Sequence, residues 1–312
     1  MFGAFAILAV ASHAGPSLPP LPQAVSSLGA AVAGNYLYVY GGHAGRTHNY
    51  STETTSAKFR RLNLAEPGKG WEDLAGGPSC QGLALVAHKG VIYRVGGMRP
   101  RNAPGENADN HSLTSFAKYD PAAGSWEQLA DLPAGRSSHD AAVVGDTLYV
   151  FGGWKMSGSA KPEWHDAGAM IDLAKPKADW VPVPQPFQRR ALTMAAYGGK
   201  IYVVAGLTAD GNTSLAANIF DPATKEWTAG PPLPGDRMNG FTPAACAAGG
   251  SLYVSPADGV IYRLNGPKWE AAGKLGHPRF VHRLVAADVG LIAVGGASKG
   301  GTVAALDVVG KN

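Results

Sequence analysis

The sequence predicts an all-β fold built as one closed array of six similar units, and three observations carry that expectation. A strand ending in two glycines recurs at Tyr38-Val39-Tyr40-Gly41-Gly42, Tyr93-Arg94-Val95-Gly96-Gly97 and Tyr149-Val150-Phe151-Gly152-Gly153. Looser copies follow at Tyr202-Val203-Val204-Ala205-Gly206, Tyr253-Val254-Ser255-Pro256 and Ile292-Ala293-Val294-Gly295-Gly296. Counted from the first glycine or its stand-in, the intervals are 55, 56, 53, 50 and 40 residues. A period near fifty marks a repeat architecture, and six units leave no room for a second domain. A tryptophan stands seven residues before a proline in the pairs Trp71 and Pro78, Trp126 and Pro133, and Trp227 and Pro234. The composition, with 42 Gly and 23 Pro in 312 residues and 16% charged, describes a turn-rich β protein and not a disordered chain. Such a length can bury a large core.

Each signal has a physical reason. Glycine accepts positive φ and lets backbones approach where a crowded inner strand turns away. Between the glycines and the tryptophan, Tyr119-Asp120-Pro121 and Phe220-Asp221-Pro222 join a strand residue to a turn in which Pro fixes φ and Asp bonds nearby backbone. Trp71, Trp126, Trp180, Trp227 and Trp269 recur once per unit, as large apolar groups wedged between neighbouring sheets would.

The di-glycine strand end, the Tyr-Asp-Pro turn, the spaced Trp and the Arg-Ser-Ser-His run from Arg136 to His139 together resemble the kelch repeat over nearly the whole chain. The resemblance implies a six-bladed kelch-type β-propeller with four-stranded antiparallel blades around a channel. Units five and six depart from the pattern, because Ser255-Pro256 replaces the glycines and no Trp follows Gly296.

The amino terminus supports two readings. Phe2 to Ala11 is a nearly unbroken apolar run followed by Ser12-His13-Ala14, which fits a signal peptide over residues 1–14 and an exported protein, periplasmic or extracellular. No Lys or Arg precedes the run, so its positive region is the terminal amine alone. In the second reading the segment closes the ring. Gly15-Pro16-Ser17-Leu18-Pro19-Pro20-Leu21-Pro22 mimics the end of unit four, Gly230-Pro231-Pro232-Leu233-Pro234. Both hold together if cleavage follows Ala14 and Gly15 to Leu18 supplies a short closing strand, leaving 15–312 as a single domain.

Cys80 precedes the inner strand of blade two and Cys246 lies within that of blade five, so no disulfide is expected. No later apolar run is long enough to span a membrane, and a net charge of +4 is too mild to imply nucleic acid. A monomer without a cofactor or metal is expected.

Propellers serve many functions, so function has to come from the site. In a four-stranded blade, the loop leading into the first strand and the loop between the second and third strands emerge on one face. That face collects His43, His48, His111, His139, His165, His277 and His282, together with Arg46, Arg99, Arg101, Arg136, Arg189, Arg190, Arg237, Arg279 and Arg283. It should attract anions. Arg136, Arg189 and Arg279 occupy equivalent positions, as do His139 and His282, and repeated positions usually have structural work.

The irregular loops of the first three blades, Gly42 to Ala57, Met98 to Phe116 and Trp154 to Ala169, are the better binding candidates. They bring Asn49 and Tyr50 beside His43, Arg46 and His48, and Trp154 and Trp164 beside His165 and Asp166. Blades five and six turn too tightly to build a wall, so the pocket is expected over blades one to three. The two indoles suit a sugar ring or a partner side chain, or else fill a small core of their own loop.

His43 with His48, and His165 with Asp166, have metal-ligand types but no cage spacing. Hydrolase elbows, P-loops and dinucleotide fingerprints are missing. The expected function is an exported propeller that binds an anionic carbohydrate or an acidic protein segment. The alternative comes from a distant similarity to the exported sialic-acid epimerases. In that case Glu53, Glu163, His165 or Asp166 would move protons, and Arg99, Arg190 or Arg283 would hold the acidic group.

Overall fold

Alternating apolar strands separated by Gly, Asn-Gly and Asp-Pro turns fold into six antiparallel sheets. The computed structural model describes residues 17–46, 48–175 and 178–310. Blade one runs Gly29–Ala33, Tyr36–Tyr40, Phe59–Asn63 and Trp71–Leu74, each strand pairing with the next. Blade two comprises Ala84–His88, Val91–Val95, Phe116–Asp120 and Ser125–Gln128. Blade three comprises Ser137–Val144, Thr147–Lys155, Ala167–Asp172 and Val181–Pro184, with Glu163–Trp164 added to the end of its second strand.

In blade four the inner strand is split into Arg189–Arg190 and Thr193–Tyr197, followed by Lys200–Thr208, Thr213–Asp221 and Glu226–Gly230. Blade five has Ala244–Ala248, Ser251–Ser255, Val260–Asn265 and Lys268–Lys274. Blade six shows Arg283–Ala287, Gly290–Val294 and Leu306–Val309 among the described residues.

The core lies between neighbouring blades. Tyr38, Tyr40 and Phe59 of blade one pack on Leu83, Leu85, Ile92 and Tyr119 of blade two, and the other blade pairs repeat the arrangement. The repeated tryptophans also carry a polar function. Each indole N–H donates to a carbonyl of the segment that ends the preceding blade: Trp126 to Ala75 at 2.8 Å, Trp180 to Ala130 at 2.8 Å, Trp227 to Pro184 at 2.8 Å and Trp269 to Pro231 at 3.0 Å.

The di-glycines mark the crossing points. Gly41 and Gly42 both have positive φ, at 65° and 104°, and the Gly42 N–H reaches the Cys80 carbonyl of the next blade at 2.9 Å. A Cβ on Gly41 would lie 2.3 Å from that same oxygen, so no other residue fits without moving backbone.

The segment that opens the described chain takes the place of an end for blade six. Trp71 donates to the Pro19 carbonyl at 3.3 Å as Trp269 does to Pro231, and the Leu21 N–H meets the Ala304 carbonyl at 2.9 Å as Leu233 meets Leu215 at 2.8 Å. Leu18, Leu21 and Val25 are buried with Val285, Ile292 and Leu306 of blade six and Leu37 and Leu62 of blade one. The closing strand expected over Gly15 to Leu18 is not of that form where it can be seen. Ser17 and Leu18 belong to no strand, and the closure runs through a proline-flanked tail. Gly15, Pro16 and the leader expected over residues 1–14 lie outside the described residues. No helix among the described residues is long and apolar enough to cross a membrane.

Because Leu21 is 5% exposed and joins two blades, Leu21→Ala should cost about 2–5 kcal/mol in a denaturant titration. A loss under about 0.5 kcal/mol, the range of ordinary surface changes, would show that this segment does not close the ring.

Candidate functional site

One residue ahead of each inner strand's packing begins a ring around the axis. Ser27, Gly82, Ser138, Ala191, Thr242 and Val281 all have φ between 47° and 60°. Their amides link the blades in sequence: Gly82 donates to Ser27 at 2.7 Å, Ser138 to Gly82 at 2.9 Å, Ala191 to Ser138 at 2.7 Å and Thr242 to Ala191 at 3.0 Å. Ser27 donates to the Val281 carbonyl at 2.8 Å, completing the circle. The sixth link differs, since the Val281 N–H is taken by the Thr242 hydroxyl at 2.9 Å.

Behind the ring the channel is bolted. Arg283 of blade six donates from Nε to Leu28 O at 3.0 Å, from Nη2 to Leu83 O at 2.6 Å and from Nη1 to the Asp140 carboxylate at 2.9 Å. The other Asp140 oxygen accepts the Met194 N–H at 2.9 Å, so one ion pair ties five of the six blades. The channel beyond it, about 330 Å³, is walled by small residues of all six inner strands, Ala31, Ala87, Ala142, Ala195 and Ala247 among them.

This geometry corrects three of the expected ligand contacts. Arg283 spends its donors inside the channel. His139 is 2% exposed between blades two and three, held neutral by burial and by the positive charges of Arg136 and Arg283. His282 is 4% exposed, its Nε2 is 3.2 Å from the Ser255 hydroxyl, and burial lowers its pKa to about 3. The repeated arginines are also structural. Arg136 binds the carbonyls of Gly152 and Ala167, Arg189 those of Ala205 and Ala216, and Arg279 those of Gly295 and Ala305, each pinning a second strand's end to the third strand. Burial lowers Arg136 and Arg189 to about 10.

The long loops of blades one to three do converge. Asn102 Nδ2 holds the Tyr50 carbonyl at 2.9 Å and the Thr52 N–H reaches Asn102 O at 3.0 Å, joining loops one and two. A hairpin, Met98–Pro100 with Asn110–Ser112, continues to loop three through Ser112 N–H to Met156 O at 3.0 Å and Gly158 N–H to Asn110 O at 2.9 Å. The result is one wall.

At its inner end stands a stack. The Arg190 guanidinium lies 3.9 Å from the Trp154 ring centroid and 5.7 Å from that of Trp164, while the two indoles meet edge to face at 5.6 Å. Opposite, from blade one, Tyr50 packs on His43 at 4.9 Å and on His48 at 6.3 Å. Burial raises the Tyr50 pKa and the nearby Arg190 opposes that rise. Burial also lowers the pKa of Arg190, whose one electrostatic neighbour of note is Tyr50. Among the described residues no carboxylate pairs with Arg190, and its Nε and the Trp154 indole N–H are both without a hydrogen-bond partner.

The other expected residues are distributed along this wall. Arg46, Asn49, Arg99 and Arg101 are exposed, with Asn49 in the turn closed by its N–H to Arg46 O at 3.0 Å. His43 is buried with Nε2 3.0 Å from Arg46 O, so it shapes the loop and supports Tyr50 from below. His111 is paired to Asp109 at 2.6 Å. His165 Nε2 is 3.1 Å from Gly135 O, and burial with Arg136 nearby takes its pKa to about 4. Glu163 is paired to Lys155 at 3.0 Å, while Asp166 and Glu53 are exposed. Glu163 and Asp166 bear on His165, whereas Glu53 comes from the blade-one loop. Among the described residues no group of three or more His, Cys, Asp or Glu side chains could hold a metal ion. Sequence reasoning missed the ring and Asp140. Their signal was present, because Ser27, Gly82 and Ser138 share one offset from their di-glycines.

Fold and site together define a six-bladed β-propeller whose axis is crossed by the Arg283–Asp140 pair and whose face is built from loops. Kelch motifs match residues 79–133 and 188–234. Kelch repeat and BTB domain-containing protein 13 of Homo sapiens is 29% identical over 276 residues, 84% of this chain and 53% of that protein. Beta-scruin of Limulus polyphemus is 29% identical over 161 residues, 48% of this chain and 16% of its own. The chain thus spans about half or less of these relatives' lengths. The solved structure of YjhT superimposes with a TM-score of 0.74, covering 93% of this chain and 95% of that one at 18% identity, a likeness of fold alone. The chain is thus a six-bladed β-propeller that carries kelch motifs.

Two outcomes follow from the buried charges. Asp140→Ala should cost about 3–5 kcal/mol, because it leaves Arg283 uncompensated in the channel; an unchanged unfolding midpoint would show that the bolt carries no stability. His139 and His282 have folded pKa values below the unfolded value near 6.5, so their contribution is complete above that pH and is lost as pH falls below it. Each should remove about 1.4 kcal/mol per pH unit between about pH 6.5 and 5. Denaturation midpoints in that window should fall, and less so in His282→Gln.

Proposed function

We propose that this propeller is a binding module for an anionic ligand, an acidic protein segment or an anionic carbohydrate, taken on the face over blades one to four. One observation carries the reading. Arg190 lies over the Trp154 ring, partly desolvated and within electrostatic reach of Tyr50, and among the described residues no carboxylate pairs with it. A guanidinium in that state gains a charge-assisted, bidentate pair when a carboxylate or similar anion arrives. The contact with Trp154 holds the side chain in place beforehand, so less side-chain freedom is lost on binding. Exposed Arg46, Arg99 and Arg101 add a positive field along the same wall.

The reading is of a binder and not a catalyst. Glu53 comes from a different loop than Glu163, His165 and Asp166, and the ring nitrogen of His165 is engaged with Gly135. The apolar run from Phe2 to Ala11 supports placing the protein outside the cytoplasm.

Arrays of acidic peptides and acidic glycans, probed at low and high salt, test the proposal. Binding should weaken with salt, and Arg190→Met, which keeps the stacking bulk, should lower affinity about ten- to a hundredfold without changing the unfolding midpoint by more than about 1 kcal/mol. Binding that ignores both salt and Arg190 would overturn it.

A further inference from the structure

The six ring residues share a backbone conformation but alternate in chemistry. In order around the axis they are Ser27, Gly82, Ser138, Ala191, Thr242 and Val281, so blades one, three and five each contribute a hydroxyl and blades two, four and six contribute none. Three hydroxyls therefore stand at alternate corners of a hexagon. Those of Ser27 and Ser138 have no hydrogen-bond partner among the described residues. The Thr242 oxygen accepts the Val281 N–H at 2.9 Å, which leaves its own proton to be donated.

These residues line a cavity of about 60 Å³ with, behind the ring, His139, His282 and Arg283. It has room for one or two water molecules or one ion of similar size, and none for a sugar ring. Electrostatics selects the sign of the occupant. Arg283 lines both this cavity and the wider channel beyond it, whereas Asp140 lines the channel alone, so the cavity meets the cationic end of the pair. The two histidines stand in the same field. Burial is the main cause of their lowered pKa values, followed by Arg136 and Arg283 at His139 and by Arg279 and Arg283 at His282, where Asp307 opposes more weakly. Among the described residues no carboxylate lines the cavity.

We propose that this axial cavity is a binding site for one small monatomic anion of the chloride class, held by the hydroxyls of Ser27, Ser138 and Thr242 above Arg283. It is separate from the Arg190 site and does not depend on it. A water molecule accepts two hydrogen bonds through directed lone pairs, whereas a spherical anion takes all three donors and strengthens each by its charge. The ring amides join neighbouring blades; the ion joins alternate ones.

Chloride-35 NMR of the whole protein tests the site. The wild type should broaden the chloride signal, bromide should reverse the broadening, and gluconate, too large to enter, should not. Ser27→Ala combined with Ser138→Ala should weaken halide binding about tenfold or more, the factor for losing hydrogen bonds to a charged group. Alanine suits both positions, because Ala191 holds φ at 54° in the same ring, so near-ultraviolet circular dichroism should match the wild type. Independently of any variant, wild-type crystals soaked in sodium bromide should show an anomalous peak within hydrogen-bond distance of all three hydroxyls. Water in the cavity with no anomalous signal, or bromide at exposed arginines only, would overturn the proposal. Broadening that survives in the double variant and is lost in Arg190→Met would also overturn it, assigning the halide to the anion site of the face and leaving that reading intact.

Discussion

The six hydrogen bonds around the axis are the constraint on which everything else rests. They oblige six residues to adopt a left-handed backbone, and that choice sets the direction in which each chain segment enters its blade. The di-glycines follow as a consequence. Their amides and their missing side chains accommodate the segment that the ring pulls across, as the contact of Gly42 with Cys80 shows. With the axis drawn this tight, Arg283 can reach from blade six to blades one, two and three, and a charge that would be costly alone is met by Asp140 and two carbonyls.

The same closure divides the polar residues of the face into two kinds. Arginines that recur at one offset are absorbed into strand ends, and histidines that recur are sealed between blades and kept neutral. Arg190 escapes because it lies one position beyond the recurring Arg189. Its neighbour pins the strand, so Arg190 is directed outward onto Trp154. One residue's shift in phase separates a structural cation from an available one.

Much of the architecture was legible in the sequence because it is periodic. The glycine pairs, the spaced tryptophans and the Asp-Pro turns each report a local conformation that recurs, so blade number and strand order follow from the chain alone. The mimicry of Pro231-Pro232-Leu233 by Pro19-Pro20-Leu21 likewise anticipated the joint between blades six and one. The site was less legible, since it depends on which donors are already occupied. Nothing in the spelling of His282 or Arg283 separates them from Arg190; only the partners supplied by distant blades do. The wall could be placed by loop length, but the stack of Arg190 on Trp154 unites two blades that no sequence interval relates.

The single link made by the Thr242 hydroxyl has its own consequence. At the other five ring positions the donating amide meets a backbone carbonyl, so any residue able to hold a positive φ can serve, and Gly, Ser, Ala and Thr all do. Between blades five and six the chemistry of one side chain completes the circle. That joint is where the identity of a residue, and not the shape of the chain, decides whether the ring is whole, and it lies directly beneath the stretch of rim where the loops are shortest. A propeller is usually imagined as uniform around its axis; this one has a single joint made by a side chain where the other five are made by backbone.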